Sequence, residues 1–157
     1  MNGRLVLFAI ASYLIGAIPF GLIIASIKGV DIRKVGSCNI GATNVLRSVG
    51  KPWGIATFIA DALKGFLPAF LFPRWLPGTD PTLTSIVCGF SAILGHNFPV
   101  YLKFKGGKGV ATSAGALLGI APLAVAIGGA MWALIFFTTR YVSLASIAIC
   151  IVVPAAS

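Results

Sequence analysis

The sequence predicts an all-α fold, a polytopic membrane protein built as a bundle of apolar helices in a single transmembrane domain over residues 1–157. Of these residues, 58% are hydrophobic and only 10% are charged, and the mean hydropathy is +1.01. A soluble domain of this length exposes a large surface to water, so it cannot hide that much apolar area. The apolar residues also lie in runs of about 20, long enough to cross a bilayer as helices.

The first predicted span contains Gly16, Pro19 and Gly21, residues that pack helices closely or kink them. The apolar stretch 110–139 is long enough for one tilted span or two short ones. Two crossings return Arg140 to the cytoplasm, as the positive-inside rule requires, so the sequence favours two. The predicted spans are 5–27, 53–72, 82–102, 110–121, 122–139 and the start of another over 141–157.

The basic residues predict the orientation. Segment 28–52 carries five Lys and Arg and segment 103–109 carries three, whereas the turn 73–81 carries one. Because cytoplasmic loops are enriched in Lys and Arg, both basic segments are expected in the cytoplasm and the N-terminus outside.

The overall charge predicts the kind of partner. Twelve Lys and Arg against three acidic residues give a net charge of +9. The basic residues occur in short groups and form no extended basic face, which argues against nucleic acid and favours anionic lipids and anionic substrates. One histidine and three cysteines without a C-x-x-C pair indicate neither a metal site nor a disulfide framework. We expect no cofactor.

Segment 36–47 has the composition of an anion-binding site. It places two hydroxyls, two amides and an arginine among glycines that let the backbone approach a ligand. Backbone N–H groups and hydroxyls donate hydrogen bonds to phosphate, and Arg47 can bind two phosphate oxygens at once. The alternative is a polar loop that caps the next helix, with Thr43 or Asn44 as N-cap. The candidate ligand-binding residues are Ser37, Asn39, Thr43, Asn44 and Arg47.

A second glycine-rich segment, 104–109, reads Phe-Lys-Gly-Gly-Lys-Gly at the expected start of a helix near Val110. The helix N-terminus adds its dipole and free N–H groups to the lysine charge. This is not a Walker A motif, because Leu102 stands where that motif has its first glycine and Gly109 where it needs Ser or Thr. The alternative is a set of positive-inside anchors, but an anchoring charge needs no flexible backbone. The candidate residues are Gly106, Gly107, Lys108 and Gly109.

Ionisable residues also occur within the predicted spans. His96 lies near the cytoplasmic end of its span, where a lone histidine is either a hydrogen-bonded packing residue or a catalyst. Asp61 and Lys64 are spaced i, i+3 and can pair on one helix face. Ionisable groups in a membrane are candidates for function, although a mutual ion pair is the simpler account.

Four segments, 36–47, 95–96, 104–112 and 140–146, carry a resemblance that covers essentially the whole chain. Their residues and their order resemble the PlsY family of acyl-phosphate:glycerol-3-phosphate acyltransferases. The resemblance implies transfer of a fatty acyl group from acyl phosphate to glycerol 3-phosphate, which gives lysophosphatidic acid and inorganic phosphate without acyl-CoA or acyl carrier protein. It also implies a seven-helix fold in the bacterial inner membrane, with the active site at the cytoplasmic face.

The resemblance also implies roles for particular residues. It adds Ser143 and Ser146 to the substrate-binding candidates, and it makes the Gly106-Gly107 backbone an acyl-phosphate loop. The expected catalytic residues are Ser37, Arg47, Lys108 and His96.

The sequence departs from the family pattern at two points. Cys38 stands where the family usually has glycine. The family's third motif, a histidine with an Asn-x-x-Arg-type segment, is absent before Ser157, so we expect the 157-residue chain to lack full activity.

Several alternatives remain open at this stage. The general base is the substrate phosphate, His96 or a group of the absent motif. A thioester mechanism would use Cys38 as nucleophile with His96 as its activator, although the family's glycine argues against it. From another class, the protein would be a transporter or binding protein for a phosphorylated metabolite. That function needs ionisable groups along a path across the bilayer, and only Asp61 and Lys64 qualify.

Overall fold

The computed structural model describes residues 3–141, 143–144 and 147–148, and its regular structure within them is entirely helical. The predicted all-α class is therefore confirmed for this part of the chain. The α-helices are α1 (Gly3–Gly16), α2 (Phe20–Ile27), α3 (Ala42–Ser48), α4 (Lys51–Trp75), α5 (Pro81–Asn97), α6 (Val110–Ile120) and α7 (Pro122–Thr139), and a 3-10 helix follows α5 at Val100–Leu102. Within the described residues, four stretches are long and apolar enough to cross a membrane, namely Gly3–Ile27, Lys51–Trp75, Pro81–Leu102 and Pro122–Thr139.

Prolines divide two of the predicted apolar stretches. The first predicted span forms two helices, because Pro19, which lacks a backbone N–H, stands between the end of α1 and the start of α2. The stretch 110–139 divides before Pro122, at the boundary between the predicted spans 110–121 and 122–139. Its first half, α6, has 11 residues and is shorter than a full crossing. Two crossings by this stretch stay a prediction.

Small residues bring α6 against α4. A Cβ placed on Gly115 would overlap the backbone carbonyl of Ala62, and one placed on Gly119 would lie 2.9 Å from the carbonyl oxygen of Phe66. Gly115 and Gly119, one helical turn apart, therefore form a close contact between α6 and α4.

Glycines also join α1 to α5. A Cβ on Gly16 would overlap the backbone of Ala92, and one on Gly95 would overlap the carbonyl oxygen of Tyr13. The Tyr13 hydroxyl donates a 2.7 Å hydrogen bond to the carbonyl of Phe98 just beyond α5. This pairing fixes the end of α5 that carries His96.

The segment between α2 and α3 has no regular structure but has a core of its own. Ala25, Ile32, Ile40 and Val45 form a buried cluster, and Trp53 packs against it. The Nζ of Lys28 lies 4.0 Å from the centroid of the Trp53 ring, so the cation covers this cluster from outside. The core holds residues 36–41 in place beside α3.

The chain forms two compact units, Met1–Ile120 and Ala121–Ser157. The first contains α1 to α6 and both basic segments. In the second, the rings of Trp132 and Phe136 stack along α7 with centroids 5.1 Å apart. Arg140 ends this helix in a left-handed conformation, φ 61°, and its N–H donates to the Phe136 carbonyl at 2.8 Å.

Candidate active site

A cavity of about 390 Å³ lies in the first unit, between the two glycine-rich segments. Its wall is formed by the segment before α3, by α3 itself, by α4, by the end of α5 and by the start of α6. Two segments that are far apart in sequence therefore line one space. The predicted site residues in its wall are Ser37, Asn39, Thr43, Asn44, Arg47, His96, Lys108 and Gly109.

The cavity carries two exposed cationic side chains, Arg47 from α3 and Lys108 from the loop before α6. Within the described residues, neither has an ion-pair or hydrogen-bond partner. The hydroxyl-bearing residues Ser37 and Thr43 lie in the same wall and are exposed. Val110 and Ala111 place the N-terminal end of α6 there as well, where a helix has free N–H groups. This combination suits a phosphate group.

Acidic charge in the segment before α3 is kept away from the cavity cations. Asp31 pairs with Arg33 at 2.9 Å and lies 3.8 Å from the Nζ of Lys34. The hydrogen bond from the Arg33 side chain lowers the pKa of Asp31, and the same contact raises the pKa of Arg33. Asp31 is not in the cavity wall.

Asn44 organises the loop rather than capping the helix. The N-cap of α3 is Gly41, so the alternative in which Thr43 or Asn44 is the N-cap is wrong. The buried Asn44 side chain donates to the carbonyls of Val35 and Asn39, at 3.1 and 2.9 Å, and its Oδ1 accepts from the Ser37 N–H at 3.0 Å. The backbone of the phosphate-binding candidate Ser37 is therefore held by Asn44.

Gly106 and Gly107 are absent from the lining residues of the cavity and pack instead against the end of α5. A Cβ on Gly106 would overlap the carbonyl of His96, and one on Gly107 would overlap the imidazole itself. The Gly107 N–H donates to the His96 carbonyl at 3.1 Å. These glycines therefore allow the loop to lie on His96, and an acyl-phosphate contact by their backbone stays a prediction.

Gly109 is needed for a different reason. Its φ is +76°, in the left-handed region that favours glycine, and a Cβ there would lie 2.5 Å from the Oδ1 of Asn97. The left-handed turn at Gly109 connects Lys108 to the start of α6.

Two predicted substrate-binding residues, Ser143 and Ser146, follow α7 in the sequence. Ser143 is exposed and belongs to the second unit. Ser146 lies outside the described residues. Substrate binding by both stays a prediction.

The cavity wall also contains Phe58 and Asp61 of α4, which were not among the predicted site residues. The spacing of Asp61 and Lys64 did predict their ion pair, and it forms with Nζ and Oδ1 2.8 Å apart. Whether a face of α4 turns toward the basic segments depends on how the helices pack, and no local signal in the sequence contains that information.

Comparisons with known proteins agree on one family. The family model described as glycerol-3-phosphate acyltransferase matches residues 6–157. The glycerol-3-phosphate acyltransferase of Desulfotalea psychrophila is 50% identical over 143 residues, which are 90% of this chain and 72% of the relative. That of Geobacter sulfurreducens is 50% identical over 147 residues, covering 94% of this chain and 74% of the relative.

A solved structure shares the fold. The crystal structure of PlsY (YgiH), an integral membrane glycerol 3-phosphate acyltransferase, matches in its glycerol 3-phosphate form with a TM-score of 0.77 and 44% identity, over 96% of this chain and 74% of that chain. Its lysophosphatidic acid form matches with a TM-score of 0.75 and 43% identity, over the same shares.

Proposed function

This chain belongs to the glycerol-3-phosphate acyltransferase family, and we propose that it takes its acyl group from acyl phosphate and binds the phosphates of both substrates in the cavity between its two basic segments. It is a multi-pass membrane acyltransferase with an all-helical fold. The observation that carries the proposal is that Arg47 and Lys108 line the same cavity. Both are exposed cations without partners in the described structure.

The proposed reaction joins two phosphate-bearing substrates. A hydroxyl oxygen of glycerol 3-phosphate attacks the acyl carbonyl carbon and forms an ester bond, while the bond from that carbon to the phosphate oxygen breaks. The hydroxyl proton ends on the departing inorganic phosphate, and the other product is lysophosphatidic acid. No oxidant or further reactant is needed.

The chain's part in this reaction is positioning and charge stabilisation. Arg47 and Lys108 neutralise phosphate as negative charge moves onto the leaving group, and Ser37 and Thr43 donate hydrogen bonds to it. His96 is a side chain in the wall whose imidazole can accept a hydrogen bond from the glycerol hydroxyl. Because the hydroxyl proton ends on the departing phosphate, the reaction requires no carboxylate base.

The proposed setting is the bacterial inner membrane, with the cavity at the cytoplasmic face. The segments that form the cavity, 28–52 and 103–109, hold eight of the twelve Lys and Arg residues. Under the positive-inside rule, this concentration of charge supports a cytoplasmic location for both segments. Both substrates would then reach the cavity from the cytoplasm or from the adjoining leaflet.

A comparison of acyl donors tests the proposal. The purified full chain is supplied with glycerol 3-phosphate and with a palmitoyl group carried by phosphate, by CoA or by acyl carrier protein. Of the three donors, we expect only acyl phosphate to give product, with lysophosphatidic acid and inorganic phosphate formed in equal amounts. Equal rates with palmitoyl-CoA would contradict the proposed donor, and movement of glycerol 3-phosphate into sealed vesicles without product would favour the transporter.

Two substitutions test the phosphate site. Arg47→Lys keeps the charge but loses the two-pronged geometry, and Lys108→Ala removes a charge, so each should lower kcat/KM by about tenfold to a hundredfold, the usual loss for a hydrogen bond to a charged group. The matched controls are Arg33→Lys and Lys105→Ala, because both residues are exposed basic residues of the same segments outside the cavity wall. Equal effects of test and control variants would contradict the site.

A further inference from the structure

Asp61 and Lys64 form a buried ion pair inside the apolar helix α4. Their side chains are 3% and 2% exposed, and Lys64 Nζ lies 2.8 Å from Asp61 Oδ1. Lys64 also donates a 2.7 Å hydrogen bond to the carbonyl of Ile18, in the break between α1 and α2. The pair therefore connects α4 to the interrupted first span.

Stability alone does not require such a pair. Burying two charges costs desolvation energy that their attraction often fails to repay, and replacing both by apolar residues is often neutral. The Ile18 carbonyl would keep a partner without Lys64, because it also accepts from the Phe20 N–H at 3.1 Å. Ionisable groups retained within a membrane segment point to a functional role.

His96 is the third member of this group. Its Nδ1 lies 3.7 Å from Asp61 Oδ1 and has no hydrogen-bond partner among the described residues. The Lys64 contact is at ion-pair distance, yet Asp61 Oδ1 receives no well-aligned hydrogen bond within the described part of the chain, so it can still accept one. Contacts at catalytic sites are often long before substrate binds and then shorten.

The opposite edge of the imidazole faces the glycine loop. A Cβ on Gly107 would overlap the Nε2 of His96, so this nitrogen lies on the side of the loop that continues into Lys108. Both His96 and Asp61 line the cavity. The ring thus stands between the carboxylate of α4 and the loop that brings in the cation.

We infer that Asp61, held in place by Lys64, is a positioning residue for His96. Its carboxylate accepts from Nδ1–H, which keeps the imidazole proton on Nδ1 and leaves Nε2 as an acceptor for the substrate hydroxyl. Lys64 balances the carboxylate charge, so the phosphate cavity does not face an uncompensated anion. The kinetic consequence of this inference rests on the proposed function, whereas the state of the imidazole does not.

The tautomeric state of the His96 imidazole can be measured directly. Its 157 residues include one histidine, so labelling histidine with nitrogen-15 reports on His96 alone when the protein carries no histidine tag. In the unliganded parent, we expect one tautomer with the proton on Nδ1. In the double variant Asp61→Leu/Lys64→Met, which removes both charges and the acceptor together, we expect exchange between the two tautomers. Identical histidine spectra for the two proteins would overturn the inference.

Kinetics separate positioning from stability. The double variant should unfold at a temperature close to the parent's, yet its kcat should fall by about tenfold to a hundredfold, the loss found when the partner that orients a metal-ligating histidine is removed. Its KM for glycerol 3-phosphate should change little, because Arg47 and Lys108 remain. A double variant with the parent's kcat would overturn the inference. If the parent accepted no acyl phosphate, the proposed donor would fail while the histidine spectra still decided the role of Asp61.

Discussion

Cys38 occupies a backbone conformation that suits glycine better. Its φ is +57°, in the left-handed region where a Cβ costs about 1–2 kcal/mol. The side chain is exposed, between the cavity residues Ser37 and Asn39. Glycine at this position would adopt the same turn without that cost.

We therefore expect Cys38→Gly to retain acyl transfer and to raise the free energy of unfolding by up to about 1 kcal/mol, since the relief of strain exceeds the added chain entropy. Cys38→Ala is the control, because it removes the thiol but keeps the Cβ, and it should not stabilise. Thermal unfolding in detergent and an acyl-transfer assay provide the measurements. Complete loss of transfer in Cys38→Gly would support a thioester mechanism instead.

Asn44 has more protein contacts than a residue free to bind substrate would have. Its amide also donates to the carbonyl of Ile32 at 3.2 Å, in addition to its bonds with Val35, Asn39 and Ser37. The sequence predicted a polar residue near phosphate, and Asn44 does line the cavity. Its bonds to the backbone of a folded loop could not be predicted, because they depend on how residues 32–39 curl around it.

Replacing Asn44 by Ala leaves several buried backbone groups of the loop without partners. We expect a loss of about 1–3 kcal/mol in the free energy of unfolding, together with faster tryptic cleavage after Arg33 and Lys34, which lie in that loop. Ser48→Ala serves as the control, since Ser48 contributes a single 3.3 Å contact to Asn44. Equal protease resistance in both variants would show that the loop holds its shape without the amide.

At the level of the helices, the hydropathy of the sequence predicted where the helices lie, and its small residues predicted where helices pack closely. The predicted spans 53–72 and 122–139 correspond to α4, Lys51–Trp75, and α7, Pro122–Thr139. The length of an apolar stretch and the position of a proline are local properties of the chain, so both can be read directly from the sequence. The position of Asp61 in the cavity wall was not predictable, because it depends on the close approach of α4 and α6.

That close approach can be tested at Gly115. Gly115→Ala forces a methyl group into the backbone of α4, and overpacking of this kind costs about 1–3 kcal/mol of stability. Gly3→Ala makes the same chemical change in α1, where a Cβ meets nothing within 4 Å, and should be neutral. Thermal unfolding of both variants in the same detergent gives the comparison. A Gly115 variant as stable as the Gly3 variant would mean that the two helices lie further apart.

At the scale of the whole molecule, the burial of residues in the first unit depends more on their size than on their polarity. Thr57, Thr84 and Thr112 are fully buried, whereas Leu7 is 66% and Phe90 is 60% exposed. In lipid there is no hydrophobic force between helices, so small residues pack the interior and large apolar ones face the hydrocarbon. This arrangement agrees with the membrane location of the family.

The orientation in that membrane is the last expectation, and the cysteines of the chain provide its test. Segment 28–52 has five basic residues and the turn 73–81 has one, and α4, which is long and apolar enough to cross a membrane, connects them. With Cys88 and Cys150 replaced by Ala, the exposed Cys38 should resist a membrane-impermeant maleimide in spheroplasts and react once they are permeabilised. Pro77→Cys, at an exposed position in the turn after α4 and combined with Cys38→Gly in the same background, should react without permeabilisation. The reverse pattern would place the cavity outside the cell and overturn the predicted orientation.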